Sequence, residues 1–243
     1  MAKAPKLRII AGPNGSGKSN LIKELRSKFY FGHYLNADDI EKELKKTGCF
    51  DFSSVGIKSS TSEILKLIKK SGLQNKIETI DFKIENNIFY YPRKLVNSYV
   101  SLIIVQYLID TFIKNSQTFS FETVMSHSGK LDIMKQAKAN GFRIYLYYIC
   151  TQSPKINQER VKQRVALGGH NVEAIKIKDR YYKSLENLYP ALKLSNRGFI
   201  FDNSSKEYIL MAETIEGERV HFKQKTIPSW IVDALKLKTQ KKT

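Results

Sequence analysis

Residues 12–19 read GPNGSGKS and fit the pattern GxxxxGK[ST], with Gly12, Gly17, Lys18 and Ser19 in register. Pro13, Asn14, Gly15 and Ser16 complete a turn whose successive backbone N–H groups can converge on a polyphosphate. A Cβ at the glycines would block either the turn or the ligand. An apolar, β-branched run, Leu7 to Ala11, leads into the loop, and Asn20 to Phe29 places Leu21, Ile22 and Leu25 at helical spacing. Strand, glycine loop and helix in that order put the positive end of a helix dipole behind the bound anion. Lys18 is expected to reach the β and γ phosphates, and the Ser19 hydroxyl to ligate Mg²⁺.

A nucleotide site alone serves a switch, a motor or a kinase, so the other anion-handling residues decide. Four of the nine arginines fall between 160 and 197, and Arg160 and Arg164, four apart, project from one helix face. Gly168-Gly169-His170 follows, a glycine pair able to act as a hinge, and Arg180 sits on the next helix. An arginine-bearing flap is suited to closing over a transferred phosphate, where guanidinium groups stabilise charge on the γ oxygens. The plainer alternative is solvated cations paired with Glu159 or Asp179. A phosphoryl acceptor needs a carboxylate within reach, and two stand at predicted strand ends: Asp38 after YLNA, and Glu122 ending TFSFE. Asp38 is expected to be the general base; the competing use of Asp38 or Asp39 is to cap the helix that follows. Glu122 is expected to contact substrate or to hold a water on the metal. His127, one turn downstream in ETVMSH, is a candidate for lining the pocket.

Near-continuous apolar runs at 7–11 and 143–150 suit buried parallel strands, with ligands collecting at their carboxyl ends. Around them the patterning predicts a strand at 34–37, helices over IEKELKK and within 57–70, and a hairpin over 76–91 turning at Asn86-Asn87. A buried helix near 94–115, a strand at 118–122 and a helix over 130–140 come next. Helices at 154–167 and about 172–188, a strand at 198–201 and a hairpin over 207–226 turning at Glu216-Gly217 complete the pattern. The expected architecture is a three-layer α/β fold in one domain, 1–243. In it, residues 50–95 are inserted on the acceptor side, a helical lid spans 154–190, and a hairpin with a basic tail covers 206–243.

With 42% hydrophobic and 26% charged residues over 243 positions, disordered and fibrous classes are excluded. The longest apolar stretch, residues 99–113, is interrupted by Gln106 and Asp110 and is too short to cross a bilayer. MAKAPKLRII lacks a signal-type apolar segment, so a cytoplasmic protein is expected. Cys49 and Cys150 have no Cys or His neighbour at metal-ligand spacing and read as idle thiols. The net charge of +18 attracts nucleotides, nucleic acids or anionic surfaces. Lysines spread along helices such as EKELKKTG and EILKLIKK read first as solvated faces, since no nucleic-acid recognition motif accompanies them.

Taken together, GPNGSGKS at 12–19, LNADDI at 35–40, FETVMSH at 121–127, RVKQRVALGGHNVEAIKIKDRYYKSLENL at 160–188 and FDNS at 201–204 resemble the zeta-toxin family of P-loop kinases. Within it, the resemblance is strongest to the stand-alone branch of zeta-like small ATPases. It implies a parallel five-stranded sheet flanked by helices and ATP-dependent phosphorylation of a sugar hydroxyl on UDP-N-acetylglucosamine. It places Asp38 on the catalytic aspartate, with Asn36 where toxin members carry a carboxylate, and Glu122-Thr123 on a Glu-Thr pair near the substrate. Arg160 and Arg164 fall on the transition-state flap, and Asn203 near the adenine end of the nucleotide site.

The first expectation is therefore an ATP- and Mg²⁺-dependent kinase acting on a small anionic metabolite, with Asp38 as base and Lys18, Arg160 and Arg164 neutralising the γ-phosphoryl group. Glu122, Thr123, His127 and Arg180 line the acceptor side. A polynucleotide kinase, drawn from the +18 charge, is the second. A regulatory ATPase or toxin-antitoxin module, with an antitoxin protein as partner and no small-molecule acceptor, is the third.

Overall fold

The computed structural model describes residues 4–79, 82–205 and 207–236. Positions 80 and 81 of the expected first hairpin, position 206 and the basic tail beyond 236 lie outside the described residues. In chain order the elements begin with β1 (Lys6–Ala11), α1 (Lys18–Lys28), β2 (His33–Leu35), α2 (Ala37–Thr47), β3 (Cys49–Asp51) and α3 (Thr61–Ser71). Next come β4 (Lys83–Glu85), β5 (Ile88–Tyr90), α4 (Ser98–Lys114), β6 (Phe119–Thr123), α5 (Gly129–Ala139) and β7 (Arg143–Cys150). The chain continues with α6 (Pro154–Ala166), α7 (Ala174–Leu194), β8 (Arg197–Asp202), β9 (Ile209–Ile215), β10 (Arg219–Phe222) and α8 (Ser229–Ala234).

Where one domain is expected, the contacts separate two compact units. One comprises the residues up to Gly32 and from Ser120 onward; the other is His33–Phe119. The first unit holds a mixed sheet in the order β10-β9-β8-β7-β1-β6. β1 runs parallel to β7, with Leu7 opposite Ile144, Ile9 opposite Leu146 and Ala11 opposite Tyr148. All six of these side chains are fully buried, as a strand covered by helices requires. β8 continues parallel to β7, but β9 pairs antiparallel to β8 and β10 to β9. The expected parallel α/β sheet is thus extended at one edge by two antiparallel strands. The 207–226 hairpin, foreseen with its turn at Glu216-Gly217, adds to the sheet and supplies ladder partners that β8 would otherwise lack at an open edge.

Helix α6 starts where Ser153 accepts a hydrogen bond from Lys155 N and Pro154 occupies the first turn. α7 runs to Leu194, past the end expected near Leu188, and carries Pro190 inside it. Leu188, Ala191 and Leu192 are all buried, so core burial on both sides of the proline outweighs its interior cost of about 3 kcal/mol.

The second unit is built on β3, β5 and β4, antiparallel, with the β4–β5 turn made by Asn86 and Asn87 at φ 49° and 67°. Positive φ at both central residues matches the twist of tight hairpins, which is why an Asn-Asn pair signals one. α3 begins with a capping box between Ser60 and Glu63, and α4 begins with Asn97 accepting from Tyr99 N and Val100 N. Asp110, half-buried on α4, accepts from Gln106 Nε2 at 2.8 Å. Its carboxyl is nonetheless raised above its ordinary value, chiefly by burial. A raised value means that the folded chain binds this proton more tightly than the unfolded chain. Stability is therefore lost as pH climbs from the unfolded value through the folded one. Replacing Asp110 with Asn should remove that loss, giving a Tm gain over the parent that opens across the carboxylate range and stays flat above it. A gain of equal size at every pH would contradict the assignment.

Candidate functional site

The glycine loop between β1 and α1 is shaped by contacts that leave no room for side chains. Gly12, Gly15 and Gly17 take φ of 146°, 75° and 95°. A Cβ on them would lie 2.0 Å from Ile149 O, 2.5 Å from Asn157 O and 2.2 Å from Asn203 Nδ2, respectively. Two asparagines grip the loop's carbonyls from outside: Asn203 Nδ2 donates to Ser16 O at 2.8 Å, and Asn157 Nδ2 donates to Asn14 O at 2.6 Å. Gly12 N donates to Thr123 O at 3.2 Å, fastening the loop to the end of β6. Ser16 is fully buried, and its Oγ meets no partner among the described residues.

Lys18, the first residue of α1, is buried, and its Nζ donates to Gly12 O at 2.8 Å and Pro13 O at 3.0 Å. The same ammonium lies 3.8 Å from Glu122 Oε1. The structure thus joins two predicted site residues in one ion pair at the loop's mouth. Ser19 is exposed on the first turn of α1.

Asn203 is held from behind. Its own N donates to Cys150 O at 2.8 Å, and the preceding Asp202 accepts from Ser204 N, Ser204 Oγ and, at 2.7 Å, Trp230 Nε1. Beside Asn203 opens a cavity of about 830 Å³ whose lining includes Gly17, Asn20, Arg160, Ser204 and Tyr208. Arg160 enters it with Nη2 donating to Ser205 O at 3.0 Å, while Nη1 is buried without an acceptor among the described residues. Arg180 Nη1 reaches Asn14 Oδ1 at 3.5 Å.

Other predicted residues sit elsewhere. Arg164 is exposed and donates through Nη2 to His170 O at 2.7 Å. The glycine pair lets the turn wrap that side chain, a Cβ on Gly169 falling 2.5 Å from Arg164 Cγ. Thr123 Oγ1 accepts from Met125 N at 3.0 Å. His127 is exposed, and its Nδ1 accepts from Gly129 N at 3.1 Å, a local turn contact. Asp38 belongs to the second unit, where Asn36 is the N-cap of α2, its side chain accepting from Asp38 N at 2.9 Å. That corrects the alternative in which Asp38 or Asp39 caps the helix. The Asp38 carboxylate is exposed and accepts no hydrogen bond among the described residues. Burial pushes the Cys150 thiol up to about 12, so it supplies no nucleophile, and Cys49 is free. Sequence reasoning missed Asn157, Asp202 and Trp230. The available signals were that Asn157 lies a single helical turn before Arg160 and that Asp202 falls within FDNS.

No family model matches the chain. An uncharacterized protein of Haemophilus influenzae is 39% identical over 69 residues, which is 28% of this chain and 49% of that protein. The structure of AvrRxo1-ORF1 with AvrRxo1-ORF2 and ATP aligns at TM-score 0.52 and 14% identity, over 90% of this chain and 60% of that one. A structure from the PezAT chromosomal toxin-antitoxin system of Streptococcus pneumoniae aligns at TM-score 0.52 and 12% identity, over 97% and 78%. The chain shares the fold of these two structures. In that fold the glycine loop sits at the carboxyl end of β1, where the clamped turn, Lys18 and Glu122 are found. The chain spans about half of the Haemophilus relative and 60% of the chain it matches in the AvrRxo1-ORF1:-ORF2 structure. Among the described residues, no helix is long and apolar enough to cross a membrane.

Proposed function

We propose that this chain is an ATP- and Mg²⁺-dependent phosphotransferase that passes the γ-phosphoryl group to a hydroxyl of a small anionic metabolite, with UDP-amino sugars as the first class to test. The observation that carries the reading is the clamped loop with Lys18 at its mouth, 3.8 Å from Glu122 and continuous with a cavity wide enough for a nucleoside. The residues fit a triphosphate: three glycines where a Cβ would collide, a buried Ser16 hydroxyl in want of a partner, and an ammonium poised over the turn.

Among the described residues no cluster of three or more His, Cys, Asp or Glu side chains could hold a metal. That suits Mg²⁺, which takes one or two protein ligands and completes its shell with phosphate oxygens and water. Ser19 and Glu122, the latter through water, would hold it. When bound it would neutralise charge on the β and γ oxygens.

In the transfer, the acceptor hydroxyl gives its proton to Asp38, its oxygen bonds to the γ phosphorus, and the bond from that phosphorus to the bridging oxygen breaks. ADP leaves with the electron pair. Lys18 holds the β and γ oxygens, and Arg160 and Arg164 oppose charge on the departing phosphoryl group. Arg164 must leave His170 O to do so. The partner proteins present with AvrRxo1-ORF1 and in the PezAT system support an antitoxin-like partner for this chain as well.

Exchanging Asp38 for Asn tests the base. Turnover should drop by roughly 10² to 10⁴, while the ATP dissociation constant moves by less than about twofold. Unchanged turnover would remove Asp38 from the mechanism. Acceptor binding that weakens steeply with added salt would identify a nucleic-acid acceptor in place of a metabolite.

A further inference from the structure

The first turn of α6 is fused to the phosphate loop through one buried amide. Asn157 is fully buried, and its side chain is spoken for on both sides. Nδ2 donates to Asn14 O at 2.6 Å, and Oδ1 accepts from Thr151 Oγ1, which fixes the amide's orientation. Thr151 is itself anchored, since its carbonyl accepts from Tyr181 OH of α7 at 2.6 Å. The backbone at Asn157 also presses on the loop, with O, Cα and C lying 2.5, 3.1 and 3.2 Å from where a Gly15 Cβ would be. Arg180 Nη1 approaches Asn14 Oδ1 from α7 at 3.5 Å. Both lid helices therefore meet the loop at Asn14, α6 at its backbone carbonyl and α7 at its side chain. The arginines that reach outward, Arg160 and Arg164, lie one and two turns further along the same helix as Asn157.

We propose that Asn157 is a positioning residue: it holds the Asn14 carbonyl away from the ligand so that the loop can receive a β phosphate, and through the same bond it couples phosphate binding to the arginine-bearing lid. This rests on the reading of residues 12–19 as the nucleotide site. The physical basis is that an amide peptide plane has two ends. Fixing the carbonyl of Asn14 fixes the N–H of Gly15 in the opposite sense, and a loop pre-set in this way spends less of its binding free energy on ordering. Because the clamp is part of α6, a ligand that stabilises the clamped loop also stabilises the first turn of the lid, and the coupling is reciprocal. A nucleoside monophosphate, whose single phosphate stops short of the β position, does not engage this device.

The test compares ADP with AMP on the full chain. Asn157→Asp is isosteric and keeps the acceptor for Thr151 but replaces the donor facing Asn14 O with a second oxygen. Calorimetry should show ADP affinity reduced about tenfold or more and AMP affinity moved by less than about twofold, as expected for loss of one buried hydrogen bond that acts only on the β phosphate. Hydrogen exchange supplies an independent readout. In the parent chain ADP, and not AMP, should slow exchange of the amides in the first two turns of α6, and Asn157→Asp should abolish that difference. If thermal melting shows that Asn157→Asp does not fold, Thr151→Val carries the same comparison, since it removes the hydroxyl that orients the amide.

A parallel fall in ADP and AMP affinity would mean general loosening and overturn the proposal. So would an unchanged ADP affinity, or α6 protection by ADP that survives the substitution. A parent chain that binds neither nucleotide would overturn the phosphotransferase reading itself, a different failure that the parent alone reveals.

Discussion

Replacing Lys18 with alanine should lower phosphoryl-transfer turnover by on the order of 10³-fold or more and weaken ATP binding as well, the scale found when a charge-stabilising group is taken from a preorganised site. The ammonium is buried at the start of α1 and set by two loop carbonyls, so it needs no search for its position when a polyphosphate arrives. It also balances Glu122, 3.8 Å away. Without it, that carboxylate would meet the incoming phosphates with this positive charge removed, and like charges at close range in a partly buried site repel strongly. Lys18→Arg should not restore activity, because a planar five-donor fork does not fit a slot shaped for a compact ammonium. Steady-state kinetics with calorimetric ATP titration reads both effects. Turnover within tenfold of the parent would show that Lys18 is a structural cation.

The largest effect on stability should come from Gly12→Ala. The new methyl would lie 2.0 Å from the carbonyl oxygen of Ile149 in the middle of the buried sheet, and φ there is 146°. Neither backbone can retreat without breaking the β1–β7 register, so the expected loss is on the order of 3 kcal/mol or more. Gly168→Ala is the matched control. It too has positive φ, but nothing lies within 4 Å of its added methyl. Only the left-handed penalty of about 1–2 kcal/mol should appear. Denaturant melts of both variants measure the difference. Equal losses would mean that the loop is not packed against β7 as described.

The features legible in the sequence are those governed by local rules. A glycine loop after a β-branched run specifies strand, turn and helix because only glycine takes the required φ. Asn86-Asn87 and Glu216-Gly217 specify hairpin turns because Asn and Gly tolerate the positive φ that tight hairpins need, and continuous apolar runs mark buried strands. The features that escaped are set by distant partners. Pro190 argues locally for a helix end, and only the burial of Ala191 and Leu192 shows why α7 continues. The antiparallel edge made by β9 and β10 depends on which strand they reach, and nothing in their own alternation states that. Asp202 and Trp230 lie 28 residues apart and meet only once the fold has formed, behind Asn203. The placing of Arg160 and Arg164 on one helix was legible from their spacing, but not the backbone carbonyl of His170 that holds Arg164.

The most direct measurement is to incubate the purified chain with Mg²⁺ and γ-labelled ATP in the presence of nucleotide sugars, nucleosides and short RNAs, and to separate every labelled product. Label should be transferred to a small anionic metabolite at a rate that Lys18→Ala abolishes. Label found only in free phosphate, or no ATP consumed by a chain that is folded and monodisperse, would contradict it.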